Sequence, residues 1–289
     1  MRLLESTEKA VSMTKSEPRE IVIEAGRTER HYWADLWRYR ELLYILARRD
    51  VSVRYKQTLF GVAWAVVRPL ATMLVFTLVF GRIAKLPSEG APYSLLVFTG
   101  MLPWFFFASA LGESANSLVA NRNLLSKVYF PRLLVPTSAI LVALVDFAIG
   151  FALLNLMMLW FGYTPGWRIL ALPGFILLAF GAALGAGLWF SALNVKYRDF
   201  QFVIPFVLQF GLYVSPVGFS TAVIPEKWRL LYSVNPMVGV IDGFRWGCLG
   251  RNFTLHADGL ILSAVLTIAV LGSGLWLFRK TERSFADVI

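Results

Sequence analysis

Residues 133–161 read LLVPTSAILVALVDFAIGFALLNLMMLWF. One ionisable side chain, Asp146, interrupts the run near its middle. A hydrocarbon core of about 30 Å is crossed by roughly 20 helical residues, so a run of this length and polarity spans a bilayer. Working outward, 61–80, 92–112, 169–193, 200–224 and 259–278 meet the same test. The fold class expected is an all-α integral membrane protein with six transmembrane helices. Its function then concerns what is moved or sensed across a membrane.

Composition agrees. Hydrophobic residues make up 57% and charged residues 16% of the 289, and mean hydropathy is +0.61. A soluble domain carries about 25% charged residues. The net charge of +10 does not imply nucleic acid, because the cations sit in loops rather than on a solvated basic face. One cysteine, Cys248, excludes an intrachain disulfide and a cysteine zinc cluster. His31 and His256 are too few and too far apart to suggest a metal site.

The cations instead give a topology. The opening MRLLESTEKAVSMTKSEPRE has no apolar core, so no cleavable signal peptide is expected. Arg48, Arg49, Arg54, Lys56, Arg122, Lys127, Arg132, Lys196, Arg198, Arg279, Lys280 and Arg283 fall on one side of the spans. Only Arg82, Lys85 and Arg168 occupy the short loops of the other. Cations gather on the cytoplasmic side, which predicts both termini cytoplasmic in the inner (cytoplasmic) membrane. The stretch before the last span, with Lys227, Arg229, Arg245 and Arg251, departs from the pattern. It is long and contains apolar pieces of its own.

The chain divides into a polar lead (1–32), an amphipathic interface helix (33–49), a six-helix membrane domain (50–280) and a cytoplasmic tail (281–289). Within the lead, Ile21 to Ile23 suggests a short strand. In 33–49, Trp33, Leu36, Trp37, Leu43, Tyr44 and Ala47 recur at helical spacing, and Trp and Tyr beside Arg favour the headgroup layer. Pro205 and Pro216, with Gly211 and Gly218, predict a bent or broken fifth span. Residues 225–250 contain two short amphiphilic helices, each beginning near a proline and too short to cross. They are expected to form an external re-entrant gate that includes Asn235, Pro236, Asp242 and Arg245. Residues 113–132 are the longest cytoplasmic connection between spans. A helix through 114–127 would display Asn121, Arg122, Asn123, Leu124 and Lys127 to a partner.

Asp146 admits two readings. It is a proton or substrate site, or it is a buried group bonded to a neighbouring helix, since a carboxylate at that depth needs a partner. Arg68, about two turns into the first span, can snorkel to the headgroups. No phosphate-binding loop G-x-x-x-x-G-K-[ST], no G-x-S-x-G and no H-E-x-x-H occurs. Catalytic residues are therefore not assigned, and energy for uphill transport must come from another subunit or an ion gradient. Aromatic rings suit the C–H face of a sugar. Trp64, Trp104, Phe105, Phe106, Phe107 and Tyr213 are channel-lining candidates, weighed against membrane-interface belts and helix packing.

Four phrases complete the picture: LARRDVSVRYKQTLFGVAWAVVRPL (46–70), NRNLLSKVYFPRLLVPTSAILVALVDF (121–147), LNVKYRDF (193–200) and NPMVGVIDGFRW (235–246). In this order, with six spans, the set resembles the permease subunits of type-2 ABC exporters for polysaccharides such as O-antigen, capsule and teichoic acid. The resemblance covers about 33–280. It implies a homodimer bound to two copies of a separate ATPase subunit, which binds the ATP and magnesium; no cofactor is expected in this chain. It implies a lipid-linked polysaccharide as substrate, a polymer path along the dimer interface, and coupling through Asn121, Arg122, Asn123, Leu124 and Lys127. Arg48, Arg49, Arg54 and Lys56 would then lie near the cytoplasmic entrance, placed to meet the substrate's pyrophosphate. The alternatives are a type-2 exporter of a drug or lipid, and an ion-coupled secondary transporter.

Overall fold

The computed structural model describes residues 28–56, 61–164, 166–250, 252–282 and 285. The strand expected at Ile21–Ile23, most of the polar lead, most of the tail, and Arg251 and Arg283 lie outside the described residues. Among the described residues every regular element is helical.

The chain divides at Arg38 into two units. The first contributes α1 (Thr28–Arg38), in which Tyr32 and Trp33 meet edge to face at 5.9 Å. The second begins with α2 (Arg40–Lys56). The single helix expected over 33–49 is thus two, interrupted at Tyr39, and the second runs a further two turns. Tyr44 stays exposed, while Leu46, absent from the predicted apolar face, is the residue that α2 buries.

Among the described residues five helices are long and apolar enough to cross a membrane: Ala63–Ile83, Tyr93–Ala120, Leu134–Trp160, Trp167–Lys196 and Ala257–Glu282. The first is α3 (Gly61–Phe76) prolonged by a π-helical stretch, Thr77–Ile83, in which Ala84 N–H bonds the Val79 carbonyl at 2.9 Å. The others are α4 (Tyr93–Ala120), α6 (Leu134–Trp160), α7 (Leu172–Lys196) with a 3₁₀ lead at Trp167–Ala171, and α11 (Ala257–Glu282). Between them lie α5 (Arg122–Leu125), α8 (Phe200–Val214), α9 (Glu226–Tyr232) and α10 (Pro236–Leu249).

The expected fifth crossing, 200–224, is the exception. Its helix α8 has 15 residues and ends at Val214. Ser215 is extended (ψ 152°) because Pro216 disfavours the helical region for the residue before it. Pro205, by contrast, sits inside α8 without ending it.

The core is organised about α4, which packs against α3, α6, α7, α8 and α10. Rings from three elements interlock there: Phe106 of α4 lies 5.7 Å from Phe147 of α6, and Phe147 lies 6.0 Å from Phe244 of α10. Such contacts add about 0.5–1.5 kcal/mol each. On the other side, α7 and α11 touch backbone to backbone. A Cβ on Gly185 would fall 2.6 Å from Leu271 Cα and N, and one on Gly274 would strike the Gly185 carbonyl. Lipid offers no hydrophobic drive between helices, so small residues that admit this close approach provide the attraction.

α4 continues two turns beyond Gly112, where the sequence suggested its end. Leu111 and Ala115 are buried against Ile204 of α8, and that packing outweighs a helix-interior glycine's cost of about 1 kcal/mol. The helix stops at Asn121 (φ −104°, ψ 21°), whose Nδ2 bonds the Ser117 carbonyl at 2.9 Å. A side-chain amide that binds the backbone this way competes with helix propagation. The connector helix expected over 114–127 is therefore the tail of α4 followed by the four-residue α5.

Candidate functional site

A cavity of about 870 Å³ opens among α2, α3, α4, α6 and α8. One wall is aromatic: Trp64 from α3, with Phe98, Trp104, Phe105 and Phe106 from α4 and Phe147 from α6. The other carries Arg54 and Tyr55 from α2, Arg68 from α3, Glu113 and Asn116 from α4, Asp146 from α6 and Gln209 from α8. Helical spacing places these groups together. Phe105, Ala108, Ser109 and Gly112 recur at three and four residues along α4, and Glu113 follows one residue on.

Arg54 joins three elements. Its Nη1 donates to Asp146 Oδ2 at 2.7 Å and its Nη2 to Glu113 Oε1 at 2.6 Å. The Tyr55 hydroxyl donates to Asp146 Oδ1. Burial first, and then the adjacent Asp146, push that hydroxyl far above the ordinary tyrosine range, so it stays protonated and donates. Asp146 thus bonds to a neighbouring helix through two donors. Arg54 and Asp146 side chains are each 31% exposed, and at such exposure the pair is worth about 1–3 kcal/mol, short of the value of a dry one.

The remaining cations separate. Arg49 bonds Asp50 and, at 2.7 Å, the Asn121 Oδ1 beyond the end of α4. Arg48 and Lys56 are exposed and do not line the cavity. Of the four cations grouped as an entrance, only Arg54 reaches the cavity, and it arrives already paired with carboxylates. Trp64, Trp104, Phe105 and Phe106 line the cavity together. Phe107 instead packs beside Leu111 and Ile204, and Tyr213 is exposed and stacked on Phe76 at 6.5 Å.

In the connector, Arg122, Asn123 and Lys127 are exposed, Leu124 is half-buried, and Asn121 links α4 to Arg49. Just beyond it, the Arg132 N–H bonds Glu282 Oε1 at 3.0 Å and its guanidinium bonds the Glu282 carbonyl, which ties the end of α11 to the start of α6.

The segment that ends α8 has irregular backbone, and its carbonyls are bonded one by one. Tyr232 Oη donates to Val214 O at 2.6 Å and Tyr93 Oη to Gly218 O at 2.7 Å. Arg245, 1% exposed, donates to Val217 O at 3.1 Å and Phe219 O at 2.9 Å. Asn235 accepts from Met237 N–H as the cap of α10 and donates to Ser215 Oγ at 2.8 Å, and Pro236 occupies the first turn. Asp242 accepts from Thr221 Oγ1 at 2.5 Å. Non-helical backbone at membrane depth is tolerated when protein satisfies it in this way. Asn235, Pro236, Asp242 and Arg245 are thus brought together around the break that follows α8.

Tyr55, Glu113, Asn116 and Gln209 were not among the residues singled out from sequence. The signal for Tyr55 was Asp146 itself, since a carboxylate inside an apolar helix requires donors from elsewhere. Among the described residues no group of three or more His, Cys, Asp or Glu could hold a metal ion.

The ABC-2 type transporter family matches residues 41–249. Among curated proteins, the chain is 26% identical to an O-antigen export system permease protein RfbA of Myxococcus xanthus, over 88% of this chain and 98% of the relative. It is 27% identical to the protein of the same name in Klebsiella pneumoniae, over 86% and 95%. It is 24% identical to the polysialic acid transport protein KpsM of Escherichia coli, over 82% and 92%.

Proposed function

This chain belongs to the ABC-2 type transporter family, and from that premise we propose that it is the membrane-spanning permease subunit of an ATP-driven exporter of a lipid-linked polysaccharide. The observation that carries this reading is the span of the likeness: O-antigen export permeases match it over 98% and 95% of their own length. The geometry supports it. A cavity of about 870 Å³ walled by Trp64, Trp104, Phe105 and Phe106 suits many weak contacts along a sugar chain, and movement through a path requires contacts weak enough to leave.

In this reading the chain is a transport subunit rather than an enzyme. Two copies pair in the inner membrane with both termini cytoplasmic, and each binds one separate ATPase subunit that holds ATP and magnesium. The ATPase acts on the connector through Asn121, Arg122, Asn123, Leu124 and Lys127. The fifth of six crossings consists of α8 together with the irregular segment beyond it. The α9–α10 pair is a re-entrant external gate, held at its base by Asn235, Pro236, Asp242 and Arg245. Arg48, Arg49 and Lys56 face the cytoplasmic entrance, with Arg54 at its inner end.

Deleting the gene tests the reading directly. Surface polysaccharide should disappear while the lipid-linked glycan accumulates inside the cell, and the tagged chain should co-purify with an ATPase. Unchanged surface glycan in the deletion strain, or uphill glycan movement by the chain reconstituted alone, would overturn it.

A further inference from the structure

We infer that Trp64 and Arg68 of α3 form a subsite for a glycosyl phosphate, with the sugar ring on the indole and the phosphate on the guanidinium. The inference rests on the polysaccharide-export reading and narrows it to the charged end of the glycan. Four charged side chains line the cavity: Arg54, Arg68, Glu113 and Asp146. Both carboxylates are bonded to Arg54. Among the described residues no carboxylate pairs with Arg68, so it is the cavity cation with charge to offer a ligand. A guanidinium on a low-dielectric wall gains most from an anion, and its fork matches phosphate oxygens in pairs.

The neighbours of Arg68 sharpen the ligand. Trp64, Ala65, Arg68 and Pro69 all face the cavity. Trp64 and Arg68 are one turn apart on one face, roughly 6 Å along the axis. That spacing matches a sugar ring and the phosphate bonded to it. A bare inorganic anion would leave Trp64 unused, and an uncharged sugar would leave Arg68 unused.

A phosphate could also come from a membrane lipid, and the test separates the two sources. The full permease–ATPase complex, held in phosphatidylcholine nanodiscs, is titrated with a synthetic polyprenyl-diphosphoryl monosaccharide. The same monosaccharide without its diphosphate, and phosphatidylglycerol included in the disc, serve as competitors. Arg68→Gln should weaken binding of the diphosphoryl probe by about tenfold or more, Arg68→Lys by less, and Trp64→Ala by about tenfold. Binding of the free monosaccharide should be indifferent to Arg68→Gln. Equal binding of the diphosphoryl probe by the wild type and the Arg68→Gln complex, both assembled with the ATPase, overturns the subsite. So does competition by phosphatidylglycerol as effective as that of unlabelled probe, which would make Arg68 a lipid-headgroup contact. If deletion of the gene abolishes surface glycan yet Arg68→Gln binds normally, the subsite alone falls. If deletion leaves surface glycan intact, the export reading falls with it.

Discussion

Arg54 holds one positive charge between two carboxylates, and the asymmetry predicts how the cluster fails. Arg54→Gln leaves Glu113 and Asp146 facing one another in a cavity with one cation fewer, whereas Asp146→Asn leaves the Arg54–Glu113 pair and a hydrogen-bonding partner for Tyr55. Removing the shared cation should therefore cost about 1–3 kcal/mol and removing Asp146 about 1 kcal/mol or less. Thermal unfolding in detergent, followed for both variants, should rank Arg54→Gln below Asp146→Asn; the reverse order would show that the Asp146 contacts dominate. This cluster also marks how far a one-dimensional reading reaches. That Asp146 needs donors follows from its position within an apolar run. That Arg54 and Tyr55 supply them, 92 and 91 residues away, does not. A basic cluster before a span has a sufficient topological explanation in its own sequence, so nothing local told Arg54 apart from Arg48, Arg49 and Lys56.

Among the elements, the long helices were legible because apolar length is a composition signal, and the ends were not because ends are decided by neighbours. α4 crosses Gly112 on the strength of Leu111 and Ala115 packing on Ile204, a contact with a helix some ninety residues later. α8 ends where Pro216 requires it, as local rules foresee, but the carbonyls so released are bonded by Tyr93, Tyr232 and Arg245 from three other elements. Arg245→Met keeps the volume and removes the donors. It should destabilise the chain by about 2 kcal/mol or more, since the buried Val217 carbonyl and the half-buried Phe219 carbonyl lose their partner, and Arg245→Lys should recover only part. Proteolysis in the 215–221 segment would report the loss, and equal resistance in Arg245→Met and the wild type would show that the carbonyls are satisfied without it. At the other end of the bundle, Asn121→Leu removes both the cap on α4 and the acceptor for Arg49. If the connector transmits the ATPase stroke, this variant should assemble with the ATPase yet export several-fold more slowly, measured as glycan exported per ATP hydrolysed. An unchanged ratio would detach Asn121 from coupling.

For the molecule as a whole, the orientation in the membrane is what every functional assignment depends on, and this chain is well suited to measuring it. Its one cysteine, Cys248, is 3% exposed, so an impermeant thiol reagent meets little background. Ser126, just after α5, is exposed, and the Glu226 side chain at the start of α9 is 90% exposed. If cations gather on the cytoplasmic face, the connector with Arg122 and Lys127 lies inside and α9 lies outside. Glu226→Cys should then label in intact spheroplasts, and Ser126→Cys only after the membrane is permeabilised. The α9 side carries Lys227 and Arg229 of its own, so charge alone argues less firmly there than at the connector. Connectivity adds an argument: if α4 crosses once between Tyr93 and the connector, the α3–α4 turn lies on the opposite face, and α6, α7 and α8 return the chain to that face before α9 provided that α8 and the segment beyond it complete the proposed crossing. Should neither cysteine label until the membrane is permeabilised, the segment ending α8 does not complete a crossing; the odd number of spans would then place α9 beside the connector on the cytoplasmic face and withdraw the proposal that it is an external gate.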